Sequence, residues 1–391
     1  MLTLVGGTYI ERCKEPDYCA LYGSGLRAAI ALSQVIAQLQ FTTCAGENEL
    51  EELLEVCIRH GIIPAITPLN ETISFNYTHP LKTPYVHPDL SEHQDVELPL
   101  IEADQVLYYG MAESTPAVIA KQMVYDPQSL IKFSDTGSKS DRLAIILNRK
   151  EAIYFSALGD NAELIEVGQQ LLADENAEVI VIKSGPQGAF VFDSTGVTSI
   201  PVFKTHNVWP IGSGDIFSAV FAWKWMIEGI SAKESAYFAS KYTAFYCDTK
   251  QLPLPRKPRS YQPLRNKLIK QRVYIAGPFF SVSERWLIEE IRDALISLGC
   301  EVFSPLNDLG ITTDATVAKR DLEEIRNCNT VLAVVAGLDP GTLFEIGYAR
   351  AKKKRVVVLS ENIVEDHLFM LRGSDCEITD DFSTAIYKAS W

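Results

Sequence analysis

Two stretches place acids where chemistry would use them. In PIGSGDIFSAVFAWKWMIEG, residues 210–229, Gly212, Ser213 and Gly214 precede an apolar helical run. Their backbone amides are expected to converge at the positive end of that helix, where a phosphoryl group leaving its bond gathers charge. Asp215 falls in the first turn, and a carboxylate there can take the proton of a hydroxyl attacking a γ-phosphate. As a helix-capping acid after a glycine turn it would need no chemistry at all. In GLDPGTLFEIGYARAKKKRVVVL, residues 337–359, a Gly-Pro loop enters a helix carrying Glu345. A rigid carboxylate beside an open strand edge, its ionised form favoured by the helix dipole, can attack an anomeric carbon and form a glycosyl ester. Phe344, Ile346 and Tyr348 make its surroundings apolar, where an idle glutamate would be costly. A second acid is then needed to protonate the departing base nitrogen. Asp339 in the loop and Asp321 on the preceding helix are the candidates.

The elements that must hold these residues alternate between short β-branched runs and helical stretches. VLYYG, MVYD, LAIILN and EVIVIKSG come first, and VYIAG, EVFSP, TVLAVVAG and RVVVLS follow. That alternation predicts parallel sheets between helices, with functional loops at the carboxyl ends of the strands. Asn148 and Glu151, directly after LAIIL, are placed to hold a magnesium-bound water near phosphates. KSGPQG at 183–188, with Lys183 and Gly185, supplies another loop on the same edge. In SERWLIEEIRDALISLG, Leu287, Ile291 and Leu295 form an i, i+4, i+8 stripe that reads as core, ended by Gly299.

The first set of motifs, in order, resembles the PfkB, or ribokinase-like, family of carbohydrate and nucleoside kinases. The resemblance covers about residues 1–262 and includes GG at 6 and 7, LYGSGLRAAIAL at 21–32, YDPQ at 125–128, the NxxE motif and GSGD. It implies ATP and Mg2+ as cofactors, Asp215 as base, Gly212, Ser213 and Gly214 as anion hole, and Asn148 and Glu151 as the magnesium and phosphate motif, with Lys183 and Gly185 toward ATP. Trp209 and Pro210, followed by Ile211, stand where the family usually carries Asp-Thr, the residues around which a monovalent-cation site is often built. Arg27 replaces an Asn that commonly contacts the sugar, and is expected to contact a phosphate or carboxylate on the substrate or to seal the region from solvent. The segment between Gly7 and Gly23 is short for the family's lid, so an unusual substrate, or a lid from another subunit or domain, is expected.

YIAGPFF at 274–280, Asp321 before a strand, and DPGTLFEIGYA at 339–349 together resemble the nucleoside 2-deoxyribosyltransferase family across 272–391. The resemblance implies that Glu345 is the nucleophile, that Tyr274 orients it by a hydrogen bond, and that Asp321 and Asp339 protonate the base or hold sugar hydroxyls. Phe279 and Phe280 would line the base pocket or join the core, and Gly277 would allow close backbone approach. Ser281, Ser283 and Thr342 would read a 5′-phosphate or cap the two helices. Family transferases often borrow an Asn from a neighbouring subunit. DHLFMLRGSD at 366–375 has none, so hydrolysis stands as the alternative to base exchange. No cofactor is implied for this part.

The implied architecture is α/β: a ribokinase-like three-layer α/β/α domain at 1–262, a basic Pro-containing linker end at 263–271, and a smaller flavodoxin-like (Rossmann-like) domain with a parallel sheet at 272–391. Residues 250–272 hold four prolines, eight basic residues and no acid, so they read as an extended strap. It is expected to be a solvated linker, or a strip docked on an acidic domain face or a phosphorylated ligand. The segments 1–249, 250–272 and 273–391 carry net charges of −15, +8 and −7 within the total of −14. That balance argues against nucleic acid and anionic membranes as partners and favours small soluble substrates: nucleosides, nucleotides or sugars. Eight scattered cysteines without a CxxC pair, and no export signal or long apolar run, point to a reduced cytoplasmic protein. Together the resemblances imply a bifunctional nucleoside-metabolising enzyme, a homo-oligomer, that phosphorylates a nucleoside or sugar and cleaves or exchanges an N-glycosidic bond. The alternative is that the first part is a degenerate nucleotide-binding module regulating an N-glycosidase.

Overall fold

The computed structural model describes residues 1–90, 96–128, 131–159, 161–264, 270–310, 315–361 and 363–391. It divides into two compact units, 1–205 with 209–266, and 206–208 with 267–391.

In the first unit, β1 (Leu2–Val5) leads into the hairpin of β2 (Ile10–Cys13) and β3 (Tyr18–Leu21), then α1 (Gly23–Leu32), β4 (Leu39–Gly46), α2 (Leu50–His60) and β5 (Ile62–Leu69). A second hairpin, β6 (Ser74–Tyr77) and β7 (Tyr85–His87), precedes β8 (Ile101–Tyr109), β9 (Val118–Asp126), β10 (Lys139–Asn148), α3 (Arg149–Ser156), α4 (Leu164–Asp174) and β11 (Val179–Lys183). The pair β12 (Ala189–Asp193) and β13 (Gly196–Ile200), with helices α5 (Ser213–Ala222) and α6 (Ala232–Thr249), completes it. Nine strands form one sheet in the order β13-β12-β11-β10-β9-β8-β1-β4-β5. It is parallel from β11 to β5, with an antiparallel edge at β12 and β13.

Strand periodicity sorts the side chains into two cores. From β10, Ala144 and Ile146 face one core while Leu143, Ile145 and Leu147 face the other, and β11 repeats this with Val179 and Val181 against Ile180 and Ile182. The first core is covered by α1, α5 and α6 through Leu26, Ile216, Phe217, Ala236 and Tyr242. The second is covered by α3 and α4 through Ala152, Phe155, Val167 and Leu171. The result is a three-layer α/β/α unit, buried on both sheet faces as an all-hydrophobic parallel strand requires.

A separate four-stranded sheet, β3-β2-β6-β7, grows from the carboxyl ends of β1 and β5. The short segment after Gly7 is thus joined in one small sheet by residues 74–87 of the same unit. Of the proline-rich strap, residues 250–264 and 270–272 are described, while 265–269, most of the linker end expected at 263–271, lie outside the described residues. Leu254 is buried in the first core, its amide donating to the Ala31 carbonyl at 3.1 Å, and Tyr242 Oη donates to the Arg256 carbonyl at 2.8 Å. Residues 250–264 are therefore packed strip rather than solvated linker.

The second unit comprises β14 (Arg272–Ala276), α7 (Val282–Ser297), β15 (Glu301–Phe303), α8 (Pro305–Asp308), α9 (Ala315–Asn327), β16 (Thr330–Val335), α10 (Pro340–Ala351), β17 (Arg355–Ser360), α11 (Phe369–Gly373), β18 (Glu377–Thr379) and α12 (Phe382–Ser390). Its five strands are all parallel in the order β15-β14-β16-β17-β18. Counted within the unit this is 2-1-3-4-5, the flavodoxin-like order, whose switch point lies between β14 and β16. The buried stripe of α7 is Ile288, Ile291, Ala294 and Leu295; Leu287 is only half-buried, so the expected stripe was set one residue early at its start.

Candidate functional site

At the switch point of the second unit, β14 carries Tyr274, which is fully buried because alternate β14 residues face the core holding Phe303, Ile325 and Val331. Its ring stacks on Phe303 at 5.6 Å between centroids, which fixes the direction of the hydroxyl. Tyr274 Oη donates to Glu345 Oε1 at 2.6 Å. Asp339 caps α10: its Oδ2 accepts from the Thr342 amide at 2.7 Å and the Thr342 hydroxyl at 2.9 Å. Pro340 then opens the helix, which suits a residue with no amide to satisfy.

Glu345 is the sixth residue of α10, beyond the first turn in which a helix dipole acts. Its carboxyl is pushed up to about 7 by burial; the Tyr274 hydrogen bond pulls the other way, while the charges of Asp321 and Asp339 add to the rise. The expectation of a dipole-stabilised carboxylate is thus corrected. The tyrosine, not the dipole, favours the ion, and burial outweighs it. Asp321 is also raised by burial, and its Oδ1 is buried without a hydrogen-bond partner among the described residues. A neighbouring acid inclined to keep its proton, beside a nucleophile poised near neutrality, suits a step in which one carboxyl attacks while another donates.

Around this pair, Gly277 lets two elements meet, since a Cβ there would lie 2.9 Å from Ile288 Cδ1 and 3.1 Å from Val334 Cβ. Phe279 and Phe280 pair at 5.5 Å, Phe279 half-buried and Phe280 71% exposed, so neither is core. Ser281 caps α7 in a box with Glu284, which takes both the Phe280 and Ser281 amides, and Ser283 lies 3.1 Å from the Ser281 hydroxyl. Capping accounts for Ser281 and for Thr342.

In the first unit, Gly212 adopts a left-handed conformation (φ 77°) as the N-cap of α5. Any Cβ there would run into the Arg27 guanidinium, so only glycine fits against it. The Ser213 amide donates to the Pro210 carbonyl at 3.0 Å, which removes it from the expected anion hole. Gly214 leaves room for Lys183, whose Nζ would lie 3.3 Å from a Cβ at that position. Lys183 Nζ donates to Asp126 Oδ2 at 2.9 Å, and Ser218 donates to the same oxygen at 2.6 Å. Burial opposes the Lys183 charge, but Asp126 and Glu151 outweigh it and hold the ammonium charged. Gly185 opens the short turn after β11.

Asn148 and Glu151 form a capping box on α3: Asn148 Oδ1 accepts the Glu151 amide at 2.9 Å and Glu151 Oε2 accepts the Asn148 amide at 2.7 Å. The NxxE spacing therefore has a structural use, and the Asn148 side chain is spent on it. The Glu151 carboxyl is pushed up to about 7 by burial and by Asp126, with Lys183 opposing. Among the described residues no cluster of three or more His, Cys, Asp or Glu could hold a metal directly.

Asp215 is not a free base in this arrangement. Arg27 Nη1 donates to its Oδ2 at 2.8 Å, Gln128 Nε2 to its Oδ1 at 2.9 Å, and Tyr109 Oη to its backbone carbonyl at 2.7 Å. Arg27 is 1% exposed; its Nη2 pairs with Glu11 on β2, and its Nε has no hydrogen-bond partner among the described residues. Burial raises the Asp215 carboxyl against the pull of Arg27 and Gln128. The Tyr9 ring lies over Gly7 and Gly23, and Tyr9 Oη donates to Glu113 Oε2 at 2.7 Å. Glu113 is pushed up to about 7 by burial, and its Oε1 has no hydrogen-bond partner among the described residues.

Glu11, Gln128, Asp126, Tyr9 and Glu113 were not singled out by motif. Asp126 and Gln128 lie in the YDPQ segment at the end of β9, and that position was the available signal. Glu11 and Glu113 carry none, because their role depends on a sheet contact between distant segments.

The nucleoside 2-deoxyribosyltransferase family matches residues 273–376, and the pfkB family of carbohydrate kinases matches residues 121–255. The two family matches thus follow one another along the chain, the kinase match within the three-layer unit and the deoxyribosyltransferase match within the flavodoxin-like one. No curated protein matches the chain. Similar solved structures include a pyrophosphate-dependent kinase of the ribokinase family complexed with a pyrophosphate analogue and myo-inositol, 15% identical over 66% of this chain and 98% of that one, TM-score 0.47. Ribokinase from Giardia lamblia is 15% identical over 64% and 93%, TM-score 0.49, and ribokinase from Thermotoga maritima is 16% identical over 63% and 93%, TM-score 0.47. Among the described residues no helix is long and apolar enough to cross a membrane.

Proposed function

We propose that the second domain cleaves or exchanges the N-glycosidic bond of (deoxy)nucleosides or their 5′-monophosphates, and that the first transfers the ATP γ-phosphate to a nucleoside or sugar hydroxyl. The observation that carries the reading is the 2.6 Å hydrogen bond from Tyr274 to a Glu345 held near neutrality at the sheet's switch point. The Glu345 carboxylate attacks the anomeric carbon as the bond to the base nitrogen breaks, and the leaving nitrogen takes a proton from Asp321. Water, giving up a proton to Asp321, or a second base then displaces Glu345 from the sugar. Asp339, occupied by Thr342, serves mainly to set the loop.

In the first domain, Lys183 and the Gly212 and Gly214 amides fit a phosphate chain, with Glu151 toward a magnesium-bound water. Magnesium would neutralise phosphate charge there. Asp215 takes the acceptor hydroxyl proton as its oxygen bonds phosphorus and the bond to ADP breaks. A homo-oligomer in the cytoplasm fits this reading. The test is incubation with a nucleoside and nucleotide panel plus ATP and magnesium, following base release and ADP, with Glu345→Ala and Asp215→Ala. Base release unaffected by Glu345→Ala rejects the glycosidic half, and ADP formation unaffected by Asp215→Ala rejects the kinase half.

A further inference from the structure

The buried cluster of Arg27, Glu11, Asp215 and Gln128 is left unused by the scheme above and stands in its way. Both Asp215 oxygens are occupied, and the Arg27 guanidinium packs on Gly212 at the head of α5. Arg27 also ties the small sheet to the helices, since Glu11 sits on β2 and accepts the Gly23 amide at 3.3 Å. A neutral sugar hydroxyl cannot draw a buried guanidinium off a carboxylate, because the cation would lose an ion pair and gain nothing of opposite charge. An anion can. Arg27 Nη1, held by Asp215 alone, is the donor such an anion can take over, while Nε, without a hydrogen-bond partner among the described residues, stays packed on Gly212.

Resting on the kinase reading of this domain, we propose that Arg27 sets acceptor specificity. The acceptor carries a phosphate or carboxylate, which takes over Arg27 and thereby releases Asp215 to act as base. In the resting arrangement Arg27 is a bolt across the site, holding β2 closed through Glu11. The acceptor's anionic group takes Nη1 in place of Asp215, Glu11 keeps Nη2, and the Asp215 carboxylate is left with Gln128 alone.

The test compares ribose with ribose 5-phosphate, and nucleosides with their 5′-monophosphates, in ATP-dependent ADP formation by the full chain. Wild type should prefer the phosphorylated member by about 100-fold, the lower end of what a general base contributes. Arg27→Gln should lose most of that preference by gaining turnover with neutral acceptors. Calorimetry with ribose 5-phosphate gives a readout independent of turnover: binding should weaken at least tenfold in Arg27→Gln. Arg27→Lys keeps the buried charge if Arg27→Gln fails to fold, and should fall between the two. Equal use of neutral and phosphorylated acceptors by wild type overturns the assignment while leaving the kinase reading intact. Ribose 5-phosphate bound equally by wild type and both variants overturns it whatever the turnover. Wild-type ribose 5-phosphate binding that depends on Arg27, without ADP from any acceptor, supports the anion contact and rejects the kinase reading.

Discussion

Replacing Tyr274 by Phe removes one hydrogen bond and no ring. Tyr274 is fully buried and its stacking on Phe303 survives the change, so the variant should fold. What it loses is the 2.6 Å donor to Glu345 Oε1. A hydrogen bond to a charged acceptor is worth about 1.5–3 kcal/mol, or about 1–2 pH units on the carboxyl it serves. Glu345 starts at about 7 because burial exceeds the tyrosine's pull, so without the donor its titration moves to about 8–9. A nucleophile must be ionised, so the rate rises with pH through that value. At pH 7 the ionised fraction falls from about a half to between about a tenth and a hundredth, a loss of about 5- to 50-fold. At pH 9.5 much of it returns. The assay is single-turnover base release across pH 5–9.5, which reads the chemical step. An acidic limb within about 0.3 units of wild type, with a uniform loss at every pH, would refute the reasoning and reduce Tyr274 to packing.

Glu113→Gln should stabilise the first unit at neutral pH. Folding raises this carboxyl from 4.5 to about 7, so its contribution is intact below about 4.5 and lost as the pH rises to about 7, a cost of about 3 kcal/mol. Chemical unfolding of the variant followed by hydrogen exchange in β8 should show that gain at pH 8 and none at pH 4. Ile288→Ala should cost the second unit about 2–5 kcal/mol, and the half-buried Leu287→Ala distinctly less, as read from paired urea midpoints. Leu254→Ala should destabilise the first unit by a similar 2–5 kcal/mol, because the strap residue fills the core beside Ala31; a change below about 0.5 kcal/mol would mean the strap is merely laid on.

The sheets were legible because their strands are buried on both faces and so read as continuous β-branched runs, from VLYYG to RVVVLS. The small sheet was not. Its strands are short and half-polar, and β2 finds a partner, β6, some sixty residues away. Such pairings leave no local periodicity. The strap misled for the opposite reason: prolines and basic residues are a solvated composition, yet one leucine among them anchors the segment. At the sites, acids were found by their place after glycine turns, whereas the partners that decide their protonation were not. Glu151 illustrates the ambiguity, since NxxE is both a phosphate-edge motif and a capping box, and the local geometry of the two is the same.

The two candidate acids show how the choice of donor decides what a buried carboxylate can do. Glu345 receives one neutral hydroxyl, and among the described residues no second donor reaches it. A neutral donor lowers its pKa only in part, so the group stays near neutrality with one oxygen open for attack. Asp215 receives a full cation on one oxygen and an amide on the other. Each oxygen already accepts one donor, and the cation cannot leave without its charge being met elsewhere. A carboxylate held by tyrosine is therefore ready in the resting protein, whereas one held by arginine waits for an anion. If both readings hold, base release should proceed without any added phosphate ester, while ADP formation should depend on one. Measuring the two activities in one preparation, with neutral and phosphorylated forms of the same nucleoside, separates them directly. Equal dependence of both activities on the phosphate would mean that the contrast between the two acids does not govern their chemistry.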